Sequence, residues 1–233
     1  MSTPIGTEHA TERSQDPWAV VNQPGTSPYP SRRVVPQGLV DLRGQAGRDI
    51  ELSYPSNAAV VVAGLPGSGK STLLRAWSPA ATVLDPRATR TAYEARMPDW
   101  LPYGAYRPWA RLSHMHRIRS EMRLTHPLLI HDCGSRPWLR RWLAHTAHRS
   151  QRPLHMVVLD VGPQEALSGQ HARRRLAPRR VFAVHQRGLS KLLARIAHDG
   201  LPTTTGISSM VLLDRSLRDR GAASVQFGHR PGC

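Results

Sequence analysis

The nine residues Gly64-Leu65-Pro66-Gly67-Ser68-Gly69-Lys70-Ser71-Thr72 read G-x-x-x-x-G-K-[ST], and their flanks leave few folds open. The apolar run Ala58-Ala59-Val60-Val61-Val62-Ala63 before them has the length and branching of a buried strand, and Thr72-Leu73-Leu74-Arg75-Ala76-Trp77 after them suits a helix. Strand, glycine-rich turn and helix in that order make a phosphate-binding loop. Glycines at 64, 67 and 69 let backbone N–H groups turn inward where a Cβ would obstruct them, and the helix N-terminus adds partial positive charge. Lys70 is expected to reach the β and γ phosphates of a nucleotide, and the Ser71 hydroxyl to hold one position around Mg²⁺. Gly64, Leu65, Pro66, Gly67, Ser68, Gly69, Lys70, Ser71 and Thr72 are thus the candidate nucleotide contacts.

The strands that follow place this loop in a larger pattern. Apolar runs at 58–63, 81–84, 127–131, 155–159 and 210–213 are separated by segments long enough for helices. That alternation predicts a three-layer α/β/α fold on a parallel five-stranded sheet. Helices are expected near 70–77, 89–96, 106–124, 136–149, 163–172 and 188–198, with Leu112, Met115, Ile118 and Met122 forming a core-facing stripe at spacings of three and four. Residues 1–31, rich in Pro, Ser, Thr and Gly, read as a disordered tail. A kinase-like domain is expected over 32–214, with short strands from Val34 to Tyr54 forming an added hairpin, and 215–233 as a basic tail that frays.

Four of the strands run into an aspartate: Asp85, Asp132, Asp160 and Asp214. Ligands in open parallel sheets bind beyond the carboxyl ends of the strands, so these carboxylates belong to the side where the glycine loop sits. Asp85, in Leu84-Asp85-Pro86-Arg87, is the candidate that faces a phosphate acceptor, its plainer role being the N-cap of the next helix. Asp132, in His131-Asp132-Cys133-Gly134, is the candidate for holding magnesium and its water, or else a turn former before Gly134. The cluster Arg173, Arg174 and Arg175, with Arg179 and Arg180 beyond it, suits a lid that brings planar cations over a transferring phosphoryl group.

The absent motifs narrow the chemistry. With lysine only at 70 and 191, an N-K-x-D guanine-binding motif is missing, which argues against a GTPase. Asp132 precedes Cys133 and Asp160 precedes Val161, so neither strand-end aspartate is followed by a glutamate that would activate water. Transfer to an acceptor that brings its own hydroxyl is favoured over hydrolysis. His145 and His148 lack a third ligand nearby, and Cys133, beside a carboxylate, reads as a small apolar side chain and not a thiolate. Trp100, Tyr103, Tyr106 and Trp109, interleaved with Arg96, Arg107 and Arg111, could stack on bases, although core burial and loop anchoring account for them more simply.

Thirty arginines against two lysines give a formal net charge of +16, which attracts nucleic acid and phosphates at low salt. Cys133 and Cys233 alone build no disulfide framework, and the first residues carry no apolar signal core, so a reducing cytoplasm and no membrane are the expectation.

The quoted motifs together resemble the small P-loop kinases related to polynucleotide kinases, zeta-toxin-like kinases and adenylate kinases, and especially actinobacterial AAA-family ATPases. The resemblance rests on residues 64–72, on L-D-P-R at 84–87, H-D-C-G-S-R-P-W at 131–138 and A-L-S-G-Q at 166–170, and spans about 34–214. It implies ATP and Mg²⁺ as ligands, Asp85 as the acceptor-facing carboxylate, and Arg173–Arg175 with Arg179 and Arg180 as the lid. Those lids tend to carry R-x-G-R or R-G-R, whereas this chain has three consecutive arginines and no glycine among them. The reading is an ATP-dependent phosphotransferase or ATPase with an unidentified acceptor, a nucleic-acid end or a small alcohol. The alternatives are a nucleotide-dependent switch without a product and an arginine-rich nucleic-acid-binding protein.

Overall fold

The computed structural model describes residues 31–45, 48–172, 177–201 and 205–228. The expected disordered tail lies, apart from Ser31, outside the described residues, as do Arg173, Arg174 and Arg175. Every residue of β4 (Ala59–Gly64) is buried, because neighbouring strands flank it on both sides and both of its faces are covered. It lies in a six-stranded sheet with β2 (Gly38–Asp41), β5 (Thr82–Leu84), β6 (Leu128–His131), β7 (Leu154–Leu159) and β8 (Ser209–Leu213), in the order β2-β8-β7-β4-β6-β5. All the pairings are parallel. The five strands expected from sequence are all present, and a sixth, β2, adds to the β8 edge.

Alternation along β4 sets the layers. Ala59, Val61 and Ala63 face one core, shared with α3 (Tyr103–Glu121), α4 (Pro137–Arg149) and α6 (Arg179–Asp199) through Ile118, Leu143, Phe182, Leu189 and Ile196. Val60 and Val62 face the other, shared with α1 (Lys70–Trp77) and the short α7 (Arg215–Asp219). This is the two-sided burial that a parallel sheet requires. Among the described residues no helix is long and apolar enough to cross a membrane. The remaining helices, α2 (Pro86–Glu94) and α5 (Pro163–Ala172), leave the carboxyl ends of β5 and β7.

Three expectations are corrected. The stretch before β4 is not a hairpin: β1 (Ser31–Val34) and β3 (Asp49–Pro55) pair in parallel, while β2 between them joins the main sheet. Residues 215–228 do not fray, because α7 and β9 (Ala223–Gly228) bury Leu217, Ala223 and Val225, β9 pairs with β3, and Trp77 Nε1 donates to Ala223 O at 2.8 Å. The stripe on α3 fails at its N-terminal end, where Leu112 is 64% exposed while Tyr106 and Ala110 are buried instead. Only the C-terminal end of α3, at Ile118 and the C-cap residue Met122, keeps the expected core contact.

Candidate functional site

The loop between β4 and α1 turns on three left-handed glycines, Gly64 (φ 147°), Gly67 (φ 91°) and Gly69 (φ 98°), the last being the N-cap of α1. A side chain at 67 or 69 would be strained in backbone and would collide with Ala166 or Arg218. Lys70 is buried within the loop, and its ammonium donates to the carbonyls of Gly64 and Leu65, both at 2.8 Å. Burial pushes its pKa down; Cys133 and Asp132 oppose that shift, Arg87 adds to it, and Asp85 opposes it. The structure therefore brings Lys70, Asp132, Asp85 and Arg87 into one electrostatic neighbourhood at the carboxyl ends of β4, β5 and β6.

Three neighbours hold the loop in shape. Gly64 N donates to Cys133 O at 3.3 Å. Helix α5 packs backbone against backbone, with Gly169 lying where any side chain would strike the Gly67 carbonyl, and Gln170 donates to Pro66 O at 3.0 Å. Gln170 Oε1 accepts in turn from Ala177 N at 2.6 Å, on the far side of the arginine run. The guanidinium of Arg218 donates to Ser68 O and lies over Gly69. Gln170 belongs to the quoted A-L-S-G-Q stretch, but Arg218 sits in a weakly patterned segment and sequence reasoning missed it.

The four strand-end aspartates differ in what occupies them. Asp214 caps α7, accepting from Leu217 N at 3.1 Å, and takes Gly44 N at 2.7 Å. Asp160 accepts from Arg43 at 2.6 Å. Asp132 accepts from Gly134 N at 2.9 Å through Oδ2. Asp85 is the N-cap of α2, with Oδ1 accepting from Arg87 N at 2.8 Å and 3.1 Å from His131 Nδ1. Burial works against its charge, yet His131 and the Arg87 amide outweigh it and hold the carboxyl below the usual carboxylate range.

The residues present fit a phosphate chain. Ser68 Oγ is buried without a hydrogen-bond partner, a polar atom aimed at something that the protein does not supply. No side chain caps the N-terminus of α1, where Lys70 stands, and the N–H groups of Thr72 and Leu73 turn back to the Gly69 carbonyl. Ser71 is half-buried at the start of α1, and Thr72 is exposed. No group of three His, Cys, Asp or Glu that could hold a metal occurs among the described residues. A magnesium ion beside Ser71 and Asp132 would depend on phosphate oxygens and water, as that ion does in loops of this kind. Cys133 has its thiol pushed up chiefly by burial, in line with an inert side chain. Arg179 and Arg180 form the exposed first turn of α6. A groove of about 690 Å³ runs along the β5 edge from Ser78 to His126 and meets the site only at Asp85.

A family profile described as an AAA domain matches residues 60–197, which include the loop, all of β5 to β7 and most of α6. No curated protein matches the chain. Among solved structures, a kinase candidate from Chloroflexus aurantiacus aligns at a TM-score of 0.52 and 15% identity, over 71% of this chain and 91% of that one. A protein of the PezAT chromosomal toxin-antitoxin system of Streptococcus pneumoniae aligns at a TM-score of 0.51 and 13% identity, over 70% of this chain and 68% of that one. At these identities the likeness is one of fold.

Proposed function

The chain belongs to the AAA domain family, and from that premise we propose that it binds ATP and moves the γ-phosphoryl group to a hydroxyl of a separate acceptor. The observation that carries this reading is the buried Lys70 ammonium, seated in a loop whose Ser68 hydroxyl has no partner and whose charge is felt by the carboxylates Asp132 and Asp85 at the same end of the sheet. The similarity of the fold to a kinase candidate supports it.

In the proposed reaction the loop amides and Lys70 bind the β and γ phosphates, with Lys70 leaving the Gly64 and Leu65 carbonyls to do so. Mg²⁺, held by Ser71 Oγ and near Asp132, would draw off charge from the phosphate oxygens. The acceptor oxygen forms the new P–O bond as the bond to ADP breaks, and its proton passes to Asp85. A carboxylate at Asp85 is suited to orient the hydroxyl and to accept that proton. Arg173, Arg174 and Arg175 are proposed to close over the transferring group, between Gln170 and Ala177, which are tied together and to the loop.

The test is transfer of label from γ-labelled ATP to a panel of alcohols, sugars and nucleic-acid ends, with Lys70→Ala as the control. Label appearing on an acceptor and lost in Lys70→Ala supports transfer. ATP binding with release of inorganic phosphate alone would replace it with hydrolysis, and binding with no turnover would favour a switch.

A further inference from the structure

Phe182, His185, Leu189 and Ile196 follow one another along α6 at spacings of three, four and seven, so they share the side that meets the core. Burial alone would favour an apolar residue at 185, because an imidazole taken out of water costs free energy unless a partner receives it. His185 is 7% exposed, and its partner is Ser135, 5% exposed, whose Oγ lies 2.6 Å from His185 Nδ1. One turn farther along α6, Gly188 brings the helix backbone against the same residue, where any side chain would strike the Ser135 carbonyl.

Ser135 stands in the short loop between β6 and α4 that also carries Asp132. The start of that loop is tied to the phosphate site: Asp132 N donates to Val62 O at 3.1 Å, and Cys133 O accepts from Gly64 N at 3.3 Å. Gly134 N donates to Asp132 Oδ2 at 2.9 Å, so the carboxylate follows the Gly134 backbone. Gly134 is left-handed, at φ 67°, and sits so close to the sheet that a Cβ would come within 2.6 Å of Ala63 Cβ and Met156 Cε. The far end of the loop is held from α4 by Arg140, which donates to Gly134 O, and from α6 by the Ser135–His185 pair. An apolar cover would keep water off such a loop without choosing among its positions. A hydrogen bond between two buried polar side chains chooses one.

We infer that His185, acting through Ser135, is a positioning residue that sets the Asp132 carboxylate for magnesium at the nucleotide phosphates. This rests on the reading of Asp132 given above and adds the device that holds it in place. Mg²⁺ demands near-octahedral geometry, and groups that orient its ligands weigh on its affinity almost as the ligands do. The phosphate-loop amides and Lys70 lie on a separate segment, so nucleotide binding without the metal does not require the pair.

The test is calorimetry on the full chain with a non-hydrolysable ATP analogue, titrated once in Mg²⁺ and once in EDTA. The native chain is expected to bind more tightly in Mg²⁺. Ser135→Ala and His185→Leu should each lose most of that gain, about tenfold in affinity, with binding in EDTA unchanged. The double variant Ser135→Ala/His185→Leu replaces both buried partners with apolar groups, so it should melt close to the native protein and still lack the gain. His185→Asn, whose amide can donate or accept where Nδ1 stood, should restore it. A double variant with the native gain, an equal loss of affinity in Mg²⁺ and in EDTA, or a His185→Asn variant no better than His185→Leu would each reduce the pair to packing and overturn the inference. A native chain that binds the analogue equally with and without Mg²⁺ would overturn the placement of magnesium near Asp132, and no binding in either condition would overturn the nucleotide reading, the inference falling with each.

Discussion

The Arg218 guanidinium lies over the α-carbon of Gly69 and donates to the carbonyl of Ser68, so a residue near the C-terminal end of the fold braces the phosphate loop from outside. Asp219 accepts from Arg218 Nε at 2.7 Å and fixes the angle of the group. Arg218→Ala is expected to lower stability by about 1 kcal/mol and ATP affinity by several-fold, with Arg218→Lys recovering only part. Gly69→Ala should do more damage, since its Cβ meets the same guanidinium at a backbone φ of 98°. Calorimetric titration with ATP and thermal melting of both variants check this; unchanged affinity in Arg218→Ala would remove the bracing role.

Helix α5 touches the loop through Gly169, where a Cβ would fall well inside 3.0 Å of the Gly67 carbonyl. Gly169→Ala must push the helix off the loop or distort the loop itself. A loss of about 1–3 kcal/mol is expected, with weaker ATP binding. Gly162→Ala, at a position with open space around it, is the control that should melt close to the native protein.

Asp85 serves α2 as N-cap whatever else it does, and the two roles separate by substitution. Asparagine caps as well as aspartate but lacks the charge that faces His131, so Asp85→Asn should lose less stability than Asp85→Ala, which also forfeits about 1 kcal/mol of capping. If the carboxylate also handles the acceptor proton, Asp85→Asn still lowers the transfer rate by roughly a hundredfold or more. Paired melting and label-transfer assays give the answer, and an Asn variant with the native rate would leave Asp85 as a cap only.

His155 gives the fold a pH dependence. It is buried, accepts from or donates to Ser209 Oγ at 2.8 Å, packs tilted against the Tyr54 ring at 4.7 Å, and burial lowers its pKa to about 4. Between that value and the roughly 6.5 of an exposed histidine, the unfolded chain binds a proton that the folded chain does not. This contribution to stability is complete above about pH 6.5 and falls away toward pH 4, by about 3 kcal/mol in all. Urea denaturation midpoints at pH 7.5 and 5 should diverge less in His155→Leu than in the native protein, whatever the absolute stability of the variant. An identical pH dependence would show that His155 is not the group responsible.

How far the sequence could be read follows from where each signal originates. The strands β4 to β8 were legible because apolar runs buried on both faces are long and continuous, and the start of α1 because G-x-x-x-x-G-K-S has one geometry. Helix α6 begins nine residues before the expected 188, as its first turns carry arginines on an exposed side and show little apolar period. The small sheet β1-β3-β9 had no such signal: its strands lie at opposite ends of the chain, and parallel pairing leaves no turn between them to read.

Local chemistry, recorded in the order of the residues, determined that this chain would bend three glycines around a lysine at the end of a buried strand, and that four aspartates would share that edge. The tertiary structure alone decided which aspartates are already occupied and that Arg218 and Gln170 clamp the loop. Spacing along a strand or helix is fixed by backbone geometry within a few residues. Contacts between residues 150 apart depend on how whole elements pack, and no short stretch of sequence carries that information.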